Sequence, residues 1–312
     1  MKDYFVNCLK TNDLKGLVEI PKSDLHNHAT RGGNIRAIRN NCDTLPKRVF
    51  CDLNAMQNWY EEHVKPYCIG KIGFENRIRA AFKQAFDDGI TILSMSFGLG
   101  DSGFYDGDIN AYINAIESIK LETAPSITFI PEISFMRTEN IKPVEAEFEK
   151  IIEFDYFKSI DLFGDDRKSV ENYKSIYRRA KEKGYILKAH VGEFGDAESV
   201  QRAVDVLELD QVQHGIAASK SKSVMKWLEK NQIQLNICPS SNIMLQRAES
   251  YKKHPIAELF YNGIPVTINS DDMIIFDQSV SQEYLNLYNH GSLSAEDLNI
   301  IREIGLKSCL DY

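Results

Sequence analysis

No run of 18 apolar residues occurs in the 312-residue chain, so nothing in it reads as a membrane-spanning helix. C-x-x-C pairs are also missing. The six cysteines, Cys8, Cys42, Cys51, Cys68, Cys238 and Cys309, are scattered. That removes the usual spacing of structural zinc sites and redox pairs and makes free thiols in a reducing cytosol the default reading. A basic balance is absent: the formal net charge is −8, which argues against binding a nucleic acid polymer, because neutralising phosphates needs a concentrated basic face. A small nucleoside stays open, since it brings little charge. No G-x-G-x-x-G follows the first strand-like run, which counts against a dinucleotide-binding fold. The opening Met1-Lys2-Asp3-Tyr4 carries an acid and no long apolar stretch, so it does not read as a signal peptide; a cytoplasmic location is the expectation. No internal repeat or low-complexity stretch stands out, and nothing in the sequence sets an oligomeric state.

What is present is a regular alternation. Short runs rich in Ile and Val predict strands at Ser23–His26, Ile90–Phe97, Ile127–Ile133, Phe157–Leu162, Tyr185–His190, Gln211–His214, Ile233–Cys238 and Pro265–Asn269. Helical patterns lie between most of them. Ile78, Ala81, Phe82, Ala85 and Phe86 fall at helical spacing, closed by Asp88-Gly89. Val170 to Lys183, closed by Gly184, is a second helix and Ala197 to Leu207 a third. Eight β/α repeats in a chain of this length predict one (β/α)₈ TIM barrel over residues 1–312 rather than an open sheet. With 43% hydrophobic residues there is ample apolar side chain for its core.

One segment breaks the rhythm. From His28 to about Gly73 more than forty residues show no strand, and they include Trp59-Tyr60-Glu61-Glu62-His63. Long insertions in compact domains are often binding loops. This helical insertion, about 29–73, would sit as a lid over the end of the first strand, where barrel active sites form; a surface excursion with no role is the plain alternative.

Metal-capable residues gather at the predicted strand ends. His26 and His28 share one face of the first strand. The fifth ends Lys188-Ala189-His190-Val191-Gly192-Glu193, the sixth Gln213-His214-Gly215 and the eighth Asn269-Ser270-Asp271-Asp272. Each has an ordinary explanation alone: a core histidine, a helix-start acid, an Asp-Asp cap. An adjacent buried carboxylate pair nevertheless needs a cation or a proton to offset its repulsion, and chance does not readily place the whole set at the ends of strands one, five, six and eight.

The combination resembles the adenosine deaminase-like branch of the metal-dependent amidohydrolases. Leu25-His26-Asn27-His28, Asp161-Leu162-Phe163-Gly164-Asp165, His190-Val191-Gly192-Glu193, His214-Gly215, Cys238-Pro239-Ser240-Ser241-Asn242, His254-Pro255-Ile256, Asn269-Ser270-Asp271-Asp272 and Glu283-Tyr284 run in family order. The resemblance implies one zinc ion per chain, held by His26, His28, His190 and Asp271, with one position kept for water. It implies that His214 orients that water and takes part in its deprotonation. Glu193 would protonate the purine ring, Asp272 would bond its five-membered part, and the N–H of Gly164 would meet another ring nitrogen. The implied reaction is hydrolysis of adenosine, or a closely related 6-aminopurine nucleoside, to the 6-oxo product and ammonia.

The sequence also departs from that pattern. The family's first motif usually continues Leu-Asp-Gly, and its aspartate contacts ribose; here the run is Ala29-Thr30-Arg31-Gly32-Gly33. Thr30 takes the aspartate's place, and Arg31 either meets an anionic substituent or, as slightly favoured, points into solvent. Adenine or a modified adenine is therefore a second substrate reading. The stretch Asp24-Leu25-His26-Asn27-His28 also looks like the opening of the PHP phosphoesterases, but His63, His254 and His290 are few for a three-metal site. A barrel that binds a ligand without turnover is the remaining alternative.

Overall fold

The computed structural model describes residues 1–39, 42, 45–138 and 140–308; Cys309 lies outside them. Its centre is one sheet of eight parallel strands in chain order: β1 (Lys22–His28), β2 (Ile90–Gly98), β3 (Thr128–Met136), β4 (Ser159–Phe163), β5 (Ile186–Val191), β6 (Gln211–His214), β7 (Gln234–Ile237) and β8 (Val266–Ile268). Every predicted strand is found, within a few residues at its ends. The expected helices are there too: Gly70–Asp87, Lys174–Glu182 after a short 3₁₀ turn, and Ala197–Leu207. Helix Ala197–Leu207 begins where the Asp196 side chain accepts from Ser199 N at 2.8 Å, an N-cap. Helix Gly70–Asp87 ends at Gly89, whose φ is +70° and whose missing Cβ would lie 1.9 Å from the Val18 carbonyl oxygen; only glycine fits there. The fold is a (β/α)₈ TIM barrel.

The ring closes at the β8–β1 seam without a full ladder. Asn27 and Asp271 form a single parallel bridge. The Asp271 N–H donates to the His26 carbonyl at 2.9 Å, and the Leu25 N–H donates to Asn269 Oδ1 at 2.8 Å. Strand period-two alternation then sorts the residues. Leu93, Met95 and Phe97 of β2, Ile133 and Phe135 of β3, and Leu187, Ala189 and Val191 of β5 join the outer core against the helices; each large side chain so buried contributes about 1.5–3 kcal/mol. The alternate residues form three levels inside the barrel. Ile92, Ile130 and Ile186 plug one end together with Leu25. Two residues on come Ser94, Glu132 and Lys188, and two further on Ser96, Ser134 and His190, all buried.

The insertion packs as a separate apolar cluster. Helix Leu53–His63 is capped by Asp52, which accepts from Ala55 N at 2.8 Å. Its Met56, Trp59 and Tyr60, with Ile35, Phe50, Val64 and Cys68, bury against Leu245, Ile274, Ile275 and Phe276, which follow β7 and β8. The next barrel helix begins at Gly70, so Gly70 to Gly73 belong to it rather than to the insertion. Among the described residues no helix is long and apolar enough to cross a membrane, and Cys8, Cys42, Cys51, Cys68 and Cys238 are free thiols.

Candidate active site

At the carboxyl ends of the strands the histidines converge. Ring centroids of His26 lie 4.7 Å from His190, 4.6 Å from His214 and 5.5 Å from His28. Single ligand atoms of His26, His190, His214 and Asp271 all fall within 4.8 Å of one another, and an overlapping group joins His28, Asp271 and Asp272. Asp271 Oδ1 is 3.2 Å from His28 Nε2 and 3.7 Å from His26 Nε2. Asp271 and His214 reach these positions with φ of +58° and +65°, a left-handed backbone that costs a non-glycine residue roughly 1–3 kcal/mol and concentrates at functional sites.

The outer ring nitrogens set the inner ones. His26 Nδ1 lies 3.2 Å from the Asn236 carbonyl oxygen, and His190 Nδ1 is hydrogen-bonded to Asp161 Oδ1 at 3.1 Å. Both partners only accept, so both Nδ1 atoms carry hydrogen and both Nε2 atoms are bare lone pairs. Those two Nε2 atoms face each other at 3.0 Å. Two lone pairs at that distance, beside a carboxylate, fit a cation between them. Nitrogen and oxygen donors of this kind suit zinc.

The charges are arranged to match. Burial pushes His190 and His214 down to about 3 and His26 well below its ordinary value, so all three are neutral. Burial pushes the Asp271 carboxyl up, but the surrounding imidazoles, with the hydrogen bond from His28 among them, hold it well below the usual carboxylate range. Burial opposes a charge on His28, yet Asp272, Asp271 and Asp161 raise it to about 9. Surplus negative charge thus collects here, and a bound divalent ion would displace the His28 proton.

Glu193 is buried, with Oε1 3.6 Å from His214 Nε2. That oxygen has no hydrogen-bond partner among the described residues. Burial, with Asp271 next, raises its carboxyl well above the ordinary range, which favours its protonated form. Asp272 Oδ2 accepts from Arg31 Nη1 at 3.0 Å, and its buried Oδ1 has no partner among the described residues. Gly164 sits at the rim with φ of +100°, next to Phe163, whose ring lies edge-on to His28 at 6.3 Å. Thr30 is at the rim too, partly exposed. Arg31 corrects the solvent reading. Its guanidinium pairs with Asp272, donates to Gln57 Oε1 at 2.6 Å and lies 4.3 Å over the Tyr60 ring, so it ties the insertion helix to the site. Of the other histidines, His63 sits by Glu62 and His290 against the Tyr251 ring, so neither extends the cluster toward three metals.

Several partners were not singled out from sequence. Asp161 orients His190. Ser96 Oγ is 2.8 Å from His28 Nδ1. Asp166 receives the N–H groups of Glu193 and Phe194 at 2.9 and 3.0 Å and so aims the strand-end turn that carries Glu193. The signal for Asp166 was its place in the second Asp-Asp pair, Asp165-Asp166, after β4.

The profile of the adenosine deaminase family matches residues 133–310. A Treponema pallidum (strain Nichols) chain with the provisional name adenosine/adenine deaminase is 27% identical over 289 residues, covering 90% of this chain and 97% of its own. In structure, the adenine deaminase of Arthrobacter aurescens superposes with a TM-score of 0.78 at 22% identity, over 94% of both chains. A Burkholderia ambifaria amidohydrolase solved with bound zinc superposes at 0.80 and 15% identity, over 99% of this chain and 87% of its own.

Proposed function

This chain belongs to the adenosine deaminase family, hydrolases of C–N bonds, and from that premise we propose that it removes the 6-amino group of an adenosine-like purine with one zinc ion per chain. The observation that carries the reading is the pair of bare Nε2 atoms of His26 and His190, 3.0 Å apart beside Asp271. His26, His28, His190 and Asp271 would hold the ion. When bound, it supplies a water of near-neutral pKa as nucleophile.

The remaining work falls to side chains. An aromatic amine is a poor leaving group, so attack at its carbon needs a proton delivered to the ring. Glu193, buried and protonated, gives that proton to the adjacent ring nitrogen and keeps negative charge off the ring. His214 faces the attacking oxygen. Asp272, whose carboxyl burial raises, donates from Oδ1 in its protonated form, and with the N–H of Gly164 it holds the purine by its other ring nitrogens. A C–O bond replaces the C–N bond, and ammonia leaves. Residues 29–69 act as the lid of a single domain, with Arg31 as its catch on Asp272.

Adenine or a modified adenine is the second reading. It is favoured by Thr30 in the place of the ribose-contacting aspartate and by Arg31, which the lid engages through Gln57 and Tyr60. The test is ammonia release from adenosine, 2′-deoxyadenosine, adenine, AMP, 5′-substituted adenosines and N6-methylated analogues. Turnover of one group well above the rest fixes the substrate. A zinc-loaded chain that releases ammonia from none of them overturns the proposal.

A further inference from the structure

Behind His214 lies a polar chain that the reaction above does not use. Asn242 and His254 are both buried. His214 Nδ1 is 3.2 Å from Asn242 Nδ2, Asn242 Oδ1 is 3.2 Å from His254 Nε2, and the Ile256 backbone nitrogen is 3.1 Å from His254 Nδ1. The order of donors follows from one fixed point. A backbone N–H can only donate, so His254 Nδ1 accepts and its hydrogen sits on Nε2. That hydrogen needs an acceptor, which is the amide oxygen of Asn242. The amide NH₂ then faces His214, and His214 Nδ1 accepts. The neutral imidazole of His214 must therefore carry its hydrogen on Nε2, the atom 3.6 Å from Glu193 Oε1 and 3.8 Å from Asp271 Oδ2. Asn242 is itself anchored. Its N–H donates to the Cys238 carbonyl at 3.0 Å, and its carbonyl accepts from Arg247 and Ala248 at 2.7 and 2.9 Å.

We propose that Asn242 and His254 are positioning residues that lock His214 as an Nε2–H donor aimed into the pocket. Two consequences follow. A nitrogen that carries hydrogen has no lone pair for a metal, so the third imidazole ligand is His28 and not His214, although His214 stands in the tighter cluster. And His214 meets the attacking oxygen as a hydrogen-bond donor that turns its lone pair toward the purine. This departs from the deprotonating role that the family resemblance implies. The second consequence rests on the deaminase reading; the first does not.

The experiment is long-range ¹⁵N–¹H NMR on the metal-loaded, ¹⁵N-histidine-labelled chain, with His214 assigned by its loss in His214→Gln. The expected spectrum shows His214 protonated at Nε2 and bare at Nδ1. In Asn242→Asp the carboxylate accepts from both rings and forces the His214 hydrogen onto Nδ1. That variant should keep its zinc and KM and lose about 100-fold in kcat, the usual size of one lost oriented donor. His254→Gln still donates to Asn242 Oδ1, so it should keep the parent tautomer and a kcat near the parent's. A parent His214 protonated at Nδ1 overturns the proposal, as does an Asn242→Asp chain with reversed tautomer and full kcat. Should Asn242→Asp fail to fold, the parent and His254→Gln spectra decide. Absence of turnover on every purine would defeat the deaminase reading while leaving the tautomer result standing.

Discussion

Two polar levels lie one above the other inside the same barrel, and they are built differently. In the lower, Lys188 Nζ is 2.9 Å from Glu132 Oε2, 2.7 Å from Ser94 Oγ and 3.1 Å from the Leu25 carbonyl oxygen. All three ammonium hydrogens are used. Glu132 Oε2 also accepts from Ser159 at 2.7 Å. One positive and one negative charge cancel, and the level is closed. In the upper level two imidazole lone pairs oppose each other, and among the described residues Glu193 and Asp272 each keep a buried oxygen unpaired. A buried polar group without a partner costs about 1–3 kcal/mol, so a level that carries several is organised for something it binds. Balance marks the structural level and imbalance the functional one.

The comparison can be broken first at Glu193. Glu193→Gln should retain zinc and lose about 10²- to 10⁴-fold in kcat, the range for a general acid, while its stability shifts by less than about 1 kcal/mol, since no hydrogen bond of Oε1 is lost. Kinetics beside denaturant melts check this; near-normal turnover would remove the acid role. Lys188→Met should do the reverse. It leaves Glu132 buried and unpaired, a change that costs about 3–5 kcal/mol, while kcat per folded molecule stays close to the parent's. A stability loss below 1 kcal/mol would mean that the lower level is not the closed pair described.

Glu283 is an intermediate case and should give the smallest effect. One oxygen accepts from Ser240 N at 2.8 Å and the other has no partner among the described residues. Burial raises its carboxyl to about 8, so the folded chain holds this proton more tightly than the unfolded chain. Its contribution to stability is complete below the ordinary carboxyl range and is lost as pH rises through about 8. Glu283→Gln, which cannot ionise, should flatten the fall in melting temperature between pH 5 and 8 by a few degrees, of the order of 2–4 °C per kcal/mol for a chain this large. An unchanged slope would place the pH dependence elsewhere.

The sequence made the frame readable because strands and site share one rule. Short runs, most of them with Ile or Val, marked the eight strands, and the residues at or just past their ends carried His26, His28, His190, His214, Asp271 and Asp272 to a common mouth. What was not readable came from contacts between elements. Asp161 reaches His190 only through the neighbouring strand, and Asn242 reaches His214 only because β6 and β7 are adjacent. Arg31 was misplaced into solvent because its partners Gln57 and Tyr60 lie on the insertion helix, whose docking no periodicity reveals.

The most direct test is elemental analysis of the purified chain beside its Lys188→Met and His190→Ala variants. The account predicts one zinc per chain in the parent, the same in folded Lys188→Met, and none in His190→Ala. A parent that deaminates without metal, or a His190→Ala chain that holds a full zinc equivalent, would contradict it.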